Sequence, residues 1–483
     1  MITLVPGAAQ AERSLARRDA ALPGLPWLLD NGRLSELLGE TVRVTRVRYK
    51  PGTSLLVAFR RLRNGSFDYG WAMTRTPASS GKLLEREHTA RSRGGDMRIL
   101  RPAPRHPDTL VAVGGVEDDW ALHKSLTWLK KNSIHRLGLH HRPGAALLAG
   151  SSVLRYKPER RLVLLAHQAG TAVVIKTAAK PAGPGQETQF LTRLRHHGVP
   201  LLPQIADAEC LANGISASAA WGTGDLTARG NTTETRAAAY TAGGALAALH
   251  CFPVAAGVGG PAADPAPETP GEHVAAQLKA TRTMVSALLP ELEPLARDLE
   301  TGLTALLLDR PRTATVLVHG DFSPDQVLVG DSEVRLIDFD RARTGTAEAD
   351  LGSFAAAEEA ALPAFRGVAG GGAPSSGALP DGGAPAGAPV SGAPVSGAPA
   401  AGAPAGNAPA RVAPASGAPA GGTQTALLAQ GYLDAGGRFS QAAVDAWAAY
   451  RLFNSSVDPF RDRSPEWAAD MSWHLSRAKE LIP

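Results

Sequence analysis

Only two cysteines, Cys210 and Cys251, occur in the 483 residues. A disulfide framework is therefore excluded, and a reducing, cytoplasmic setting is expected. No run of about 20 apolar residues exists, so no membrane-spanning helix is expected. Residues 1–18 lack a long apolar core and soon become arginine-rich, which argues against a secretory signal. What remains is a globular composition, with 44% hydrophobic residues, and a chain too long for one core. At least two lobes are expected.

Charge is unevenly placed. Residues 1–222 hold 32 Lys/Arg against 17 Asp/Glu, and the remainder holds 18 against 28. One half favours an anion and the other a cation wherever the folded surface keeps that polarity. A nucleic-acid binder would show a basic stripe without the acidic counterpart, so nucleic acid is not expected as a partner.

Residues 367–421 are almost entirely Gly, Ala, Pro, Ser and Val, with Ser-Gly-Ala-Pro units recurring. Glycine does not fall on every third residue, which excludes collagen. Such a segment lacks the side chains that offset ordering entropy and reads as a disordered insertion. Further upstream, Arg48-Tyr49-Lys50-Pro51 recurs as Arg155-Tyr156-Lys157-Pro158. Each copy is followed by two strand-like runs, which predicts a duplicated antiparallel hairpin. The first copy places Met73 or Arg75 where the second has Lys176.

Helical spacing dominates after residue 187, with apolar stripes at Phe190, Leu191 and Leu194, through 235–250, and at Val444, Trp447, Ala448 and Leu452. Ser464-Pro465 reads as the cap and first turn of a last helix carrying Trp467, Met471 and Leu475.

The chemistry concentrates in Val316-Leu317-Val318-His319-Gly320-Asp321, then Gln326, then Val334-Arg335-Leu336-Ile337-Asp338-Phe339-Asp340. Two apolar strands each end on a carboxylate, with an amide side chain between them. An ionised carboxylate at a buried strand end is costly unless it has a task. Phosphoryl transfer supplies one: a base to align the acceptor hydroxyl, and oxygen ligands for magnesium.

These residues resemble the aminoglycoside-phosphotransferase and choline-kinase-like family, a branch of the protein-kinase-like fold. The resemblance implies that Asp321 is the catalytic base and Asp338 the principal Mg2+ ligand, with Gln326 in the second ligand position. It implies that Lys176, at the end of the apolar run 171–175, binds the nucleotide phosphates, with Glu187 as its ion-pair partner. His319 and Gly320 would shape the catalytic loop, and Asp350 matches the family's structural aspartate. Gln326 stands where most of the family has Asn, a pattern that looks maltokinase-like and points towards a sugar acceptor. The basic turn 157–161 would lie over the phosphates in place of a glycine-rich loop, and the hinge would fall near 218–221.

The expected fold is α+β: a two-lobed protein-kinase-like fold with an N-terminal β-containing cap. The cap would be 1–150, the N-lobe 151–222, and the C-lobe 223–366 and 422–483, interrupted by the insertion 367–421. The expected activity is ATP-dependent transfer of a γ-phosphoryl group to a hydroxyl of a small molecule, whether aminoglycoside, amino-alcohol or sugar-like. Acids such as Asp434, Asp445 and Asp470 could attract a cationic acceptor. A pseudokinase that binds nucleotide without turnover is the alternative of another class. A protein kinase is disfavoured, because no Ala-Pro-Glu segment follows Asp338.

Overall fold

The computed structural model describes residues 5–63, 65–102, 108–137, 151–168, 171–179, 186–253, 270–308, 315–361 and 422–483. The insertion 367–421 lies outside the described residues.

The first hairpin is β1 (Arg43–Lys50), β2 (Ser54–Arg63) and β3 (Ser66–Arg75), extended by β4 (Arg98–Leu100) and β5 (Val111–Gly115). Together they form an antiparallel sheet in the order β1-β2-β3-β5-β4. The second hairpin is β6 (Ser151–Lys157), β7 (Arg161–Gln168) and β8 (Thr171–Ala178), and β9 (Ile215–Ala219) completes a sheet in the order β6-β7-β8-β9.

The two hairpins share register and anchoring. Tyr49 pairs with Leu55 as Tyr156 pairs with Leu162. Each tyrosine hydroxyl donates to an aspartate, Asp19 at 2.6 Å and Asp119 at 2.9 Å. The same carboxylate accepts a turn amide, from Gly52 at 2.9 Å and from Glu159 at 2.8 Å. Both turn residues are left-handed, with φ of 60° and 58°. Glycine adopts this conformation freely, whereas glutamate does so at a steric cost. Arg48, from the first hairpin, and Arg86, from the helix Gly81–Ser92 that follows it, grip the Glu159 carboxylate and so hold the second copy's turn in place. Register also decides the alignment: Met73 opposes Leu56 as Lys176 opposes Val163. A buried thioether thus stands where the second hairpin has its ammonium.

Strand β2 shows why the first sheet is apolar on both sides. Its residues alternate between two cores, as a period of two requires. Leu55, Val57 and Phe59 join Leu15, Leu28, Leu299, Leu452 and Trp467 in one core. Leu56 and Ala58 join Met73, Leu126, Leu162 and Ile175 in the other. The N-terminal sheet is thereby packed between the second sheet and a bundle of C-terminal helices.

The third core belongs to the helical lobe. Helices Thr233–His250 and Gln424–Asp434 cross closely. A Cβ on Gly243 would strike the Leu428 carbonyl, and one on Gly431 would strike the Tyr240 carbonyl. Short strands lie on this core: β10 (Gly224–Asp225), β11 (Val316–Val318), β12 (Val327–Val329), β13 (Val334–Leu336) and β14 (Arg343–Gly345). They pair antiparallel as β10-β12-β13 and β11-β14. The architecture is the two-lobed α+β fold expected, with a sheet-rich N-terminal part. One detail differs. The last helix is Trp467–Glu480, its N-cap position is Glu466, and the Ser464 hydroxyl donates to Asp470 at 2.5 Å instead of capping. Ser464 caps nothing because the chain turns once more before the helix begins.

Candidate active site

Strand β11 delivers His319, Gly320 and Asp321 into a loop tied down by a buried aspartate. The Asp350 carboxylate accepts the His319 amide at 2.7 Å and the Gly320 amide at 2.9 Å. It also meets His250 Nε2 at 3.1 Å, whose Nδ1 lies 2.8 Å from the Tyr432 hydroxyl. Burial would raise the Asp350 carboxyl, but the hydrogen bond and charge of His250 hold it below the ordinary range. Gly320 has φ of 81°, and a Cβ there would collide with the Arg341 carbonyl, so only glycine suits the turn. His319 Nε2 donates to the Ile337 carbonyl at 2.8 Å. That bond joins the loop after β11 to the end of β13.

The loop after β13 carries Asp338 in a left-handed conformation, φ 66°. Such strain in a non-glycine residue is concentrated at functional positions. Lys176 Nζ, from β8, donates to Asp338 at 2.8 Å and to Asp340 at 2.5 Å. Arg161, the first residue of β7, donates to the same two carboxylates at 3.1 and 2.7 Å. Burial alone would raise the Asp338 carboxyl, but Lys176 and Arg161 outweigh it and hold it well below the carboxylate range. The two sheet residues thus reach across to the 338–340 turn.

Asp321 faces two arginines. Arg451, on helix Gln441–Ser455, donates to Oδ1 at 2.5 Å, and Arg341 lies 3.6 Å from Oδ2. Gln326 is buried, and its Oε1 has no hydrogen-bond partner among the described residues. Leaving an acceptor orphaned there costs about 1–3 kcal/mol, which a ligand would recover. Among the described residues, no three His, Cys, Asp or Glu side chains gather as a metal cage. Two carboxylates and an orphaned amide oxygen nevertheless fit Mg2+, which usually takes one or two carboxylates and completes its shell with phosphate oxygens and water.

The fold brings Lys176, Asp338, Asp321 and Gln326 into one region, but it does not pair Lys176 with Glu187. Glu187 opens helix Gln186–His196 and has no ion-pair partner among the described residues. Burial first, then Asp340 and Asp338, raise its carboxyl, while Lys176 acts in the opposite direction. The lysine has been taken by the acids of the 338–340 turn. Sequence reasoning missed Asp340, Arg341 and Arg451 as site residues. Asp340 was visible as a second acid beside Asp338, whereas Arg451 carries no local signal. Near the expected hinge, Trp221 lies beneath the Arg335 guanidinium, 4.9 Å from the ring centroid.

Residues 159–377 match the phosphotransferase enzyme family. The matched segment takes in Lys176, Asp321, Gln326 and Asp338. It also bears out the resemblance read from residues 319–340. No curated protein matches the chain. Among solved structures, the chain is similar to a choline/ethanolamine kinase family protein from Mesorhizobium loti, at 13% identity and TM-score 0.41, over 74% of this chain and 94% of that one. It is similar to the GDP complex of aminoglycoside 2'-phosphotransferase-IIIa at 14% identity and TM-score 0.44, over 74% and 98%. It is also similar to macrolide 2'-phosphotransferase type I at 16% identity and TM-score 0.40, over 72% and 96%. No helix among the described residues is long and apolar enough to cross a membrane.

Proposed function

We propose that the chain transfers the γ-phosphoryl group of ATP to a hydroxyl of a small molecule. The observation that carries this reading is the bridge from Arg161 and Lys176 to Asp338 and Asp340. Asp321 and the orphaned Gln326 amide lie on the neighbouring loop.

In this reading Asp321 accepts the proton of the acceptor hydroxyl and aligns its oxygen with the phosphoryl group. Arg451 fixes the orientation of that carboxylate from its helix. Lys176 and Arg161 exchange their carboxylate partners for phosphate oxygens when the nucleotide enters. Their departure frees Asp338, which with Gln326 would hold Mg2+. The metal, when bound, neutralises charge on the transferring group. Glu187, whose charge acts on Lys176, then steadies the ammonium from the first turn of helix Gln186–His196 once the acids are released. Catalysis then rests on positioning, without a covalent intermediate on the protein.

The test is Mg2+-dependent ATP consumption by the full chain against aminoglycosides, amino-alcohols, sugars and nucleosides. Asp321→Ala should lose acceptor-dependent turnover by about 10²–10⁴-fold while retaining Mg–nucleotide binding. Asp338→Ala should weaken metal-dependent nucleotide binding itself. Wild-type turnover by both variants would overturn the assignment of the site.

A further inference from the structure

The turns that close the two hairpins are built alike. The Thr53 amide donates to the Lys50 carbonyl, and the Arg160 amide to the Lys157 carbonyl, both at 3.0 Å. Each turn has proline second and a left-handed residue third, the type II pattern, which favours glycine at the third place. The first copy has Gly52 there, and the second has Glu159. Only the second turn carries the steric cost of a side chain at positive φ.

That side chain is engaged. One carboxylate oxygen is ion-paired with Arg48 of β1, and the other accepts from Arg86 of helix Gly81–Ser92 at 2.8 Å. Behind the turn, the buried Asp119 carboxylate accepts the Glu159 amide and the Tyr156 hydroxyl. Arg48, Arg86 and Asp119 all precede residue 159, where the family match begins.

What the clamp steadies lies two residues on. Arg161 takes the register position of Ser54, since each opposes a lysine, Lys157 and Lys50. Lys176 likewise takes the position of Met73. The three differences go together. The copy that turns cations towards Asp338 and Asp340 is the one in which a clamped glutamate replaces glycine. The first copy closes the same turn with no such clamp, so closing the hairpin does not require it.

We infer that Glu159 is a positioning residue for the nucleotide: through it, Arg48 and Arg86 fix the turn that holds Arg161 ready for the phosphates. The inference rests on the phosphotransferase reading and gives the N-terminal sheet and its helix a part in it. Glu159 itself need not touch the nucleotide. A turn ordered in advance spares phosphate binding the entropy of ordering it, and the base and ribose gain nothing from it.

The experiment is calorimetric titration of the full chain with Mg–ADP and, separately, with adenosine, which lacks the phosphates. Glu159→Gly should fold, because glycine suits a φ of 58° and serves the first copy. It should bind Mg–ADP roughly tenfold more weakly, the loss of one well-placed charge-assisted contact, and adenosine within about twofold of wild type. Arg86→Gln should repeat this split, and adding it to Glu159→Gly should cost little more, since both act through one contact. Unchanged Mg–ADP affinity in folded Glu159→Gly, or an equal loss of adenosine and Mg–ADP, overturns the inference and leaves the kinase reading intact. A further tenfold loss in the double variant would show that Arg86 acts by another route and would also overturn it. Absence of Mg–ADP binding by wild type would sink both.

Discussion

Lys157 is half-buried beside Arg155, Arg46 and Arg161, with Asp458 opposing them. Its folded-state pKa of about 7 lies below the ordinary lysine value. Between those two values the unfolded chain binds more protons than the folded one, so stability rises with pH across that window. Lys157→Met removes the titration. The melting temperature of wild type relative to Lys157→Met should therefore climb between pH 7 and pH 10, in paired calorimetric scans. A flat difference would show that the ammonium is solvated. Glu159, two residues on, illustrates the opposite device. Burial opposes its charge, yet Arg48 and Arg86 prevail and lower its carboxyl, and the same two contacts hold the turn left-handed.

At the scale of elements, the site depends on a helix crossing far from its carboxylates in sequence. Helix Gln424–Asp434 follows the insertion, and its Tyr432 reaches His250, the partner of Asp350. The crossing is tight only where glycines allow it. Gly431→Ala should destabilise by about 1–3 kcal/mol, because its methyl meets the Tyr240 carbonyl. Gly244→Ala should instead be neutral or stabilise by up to about 1 kcal/mol, since its methyl meets only Ala435 Cβ at 4.0 Å. Denaturant midpoints for the two variants should move in opposite directions or, at the least, separate clearly.

For the whole molecule, the decisive feature is the sheet with two buried faces. Leu15 and Val57 lie in the same core as Leu299 and Trp467, so the N-terminal sheet and the C-terminal helices share one hydrophobic unit. Arg463 reinforces the contact, donating to Glu12 at 2.7 Å and to the Leu29 carbonyl at 2.8 Å. Scanning calorimetry should show these regions melting in one cooperative transition. A chain trimmed to 151–483 should fail to fold, because trimming exposes that face. Two well-separated transitions, or a soluble folded fragment, would mark the N-terminal region as an independent module.

As candidates for the proposed site, Asp321, Asp338 and Lys176 stand out in the amino-acid order because each follows a short apolar run, and Gln326 because it opens one. Strand, turn and carboxylate are neighbours along the chain there, and local pattern carries them. The duplicated hairpin was legible for the same reason. Pairing across space was not. Whether Met73 or Arg75 answers to Lys176 needed the strand register, since the two lie two residues apart on one face and only the cross-strand partner tells them apart. Lys176 meets Asp338 and Asp340, not Glu187, because the sheet carries it over the 338–340 turn. Arg451 reaches Asp321 across 130 residues, and Arg46 reaches Asp462 from the other end of the chain. Sequence determined which groups could do chemistry; tertiary packing alone decided which charges face one another, because Coulomb interaction follows distance in space and not position along the chain.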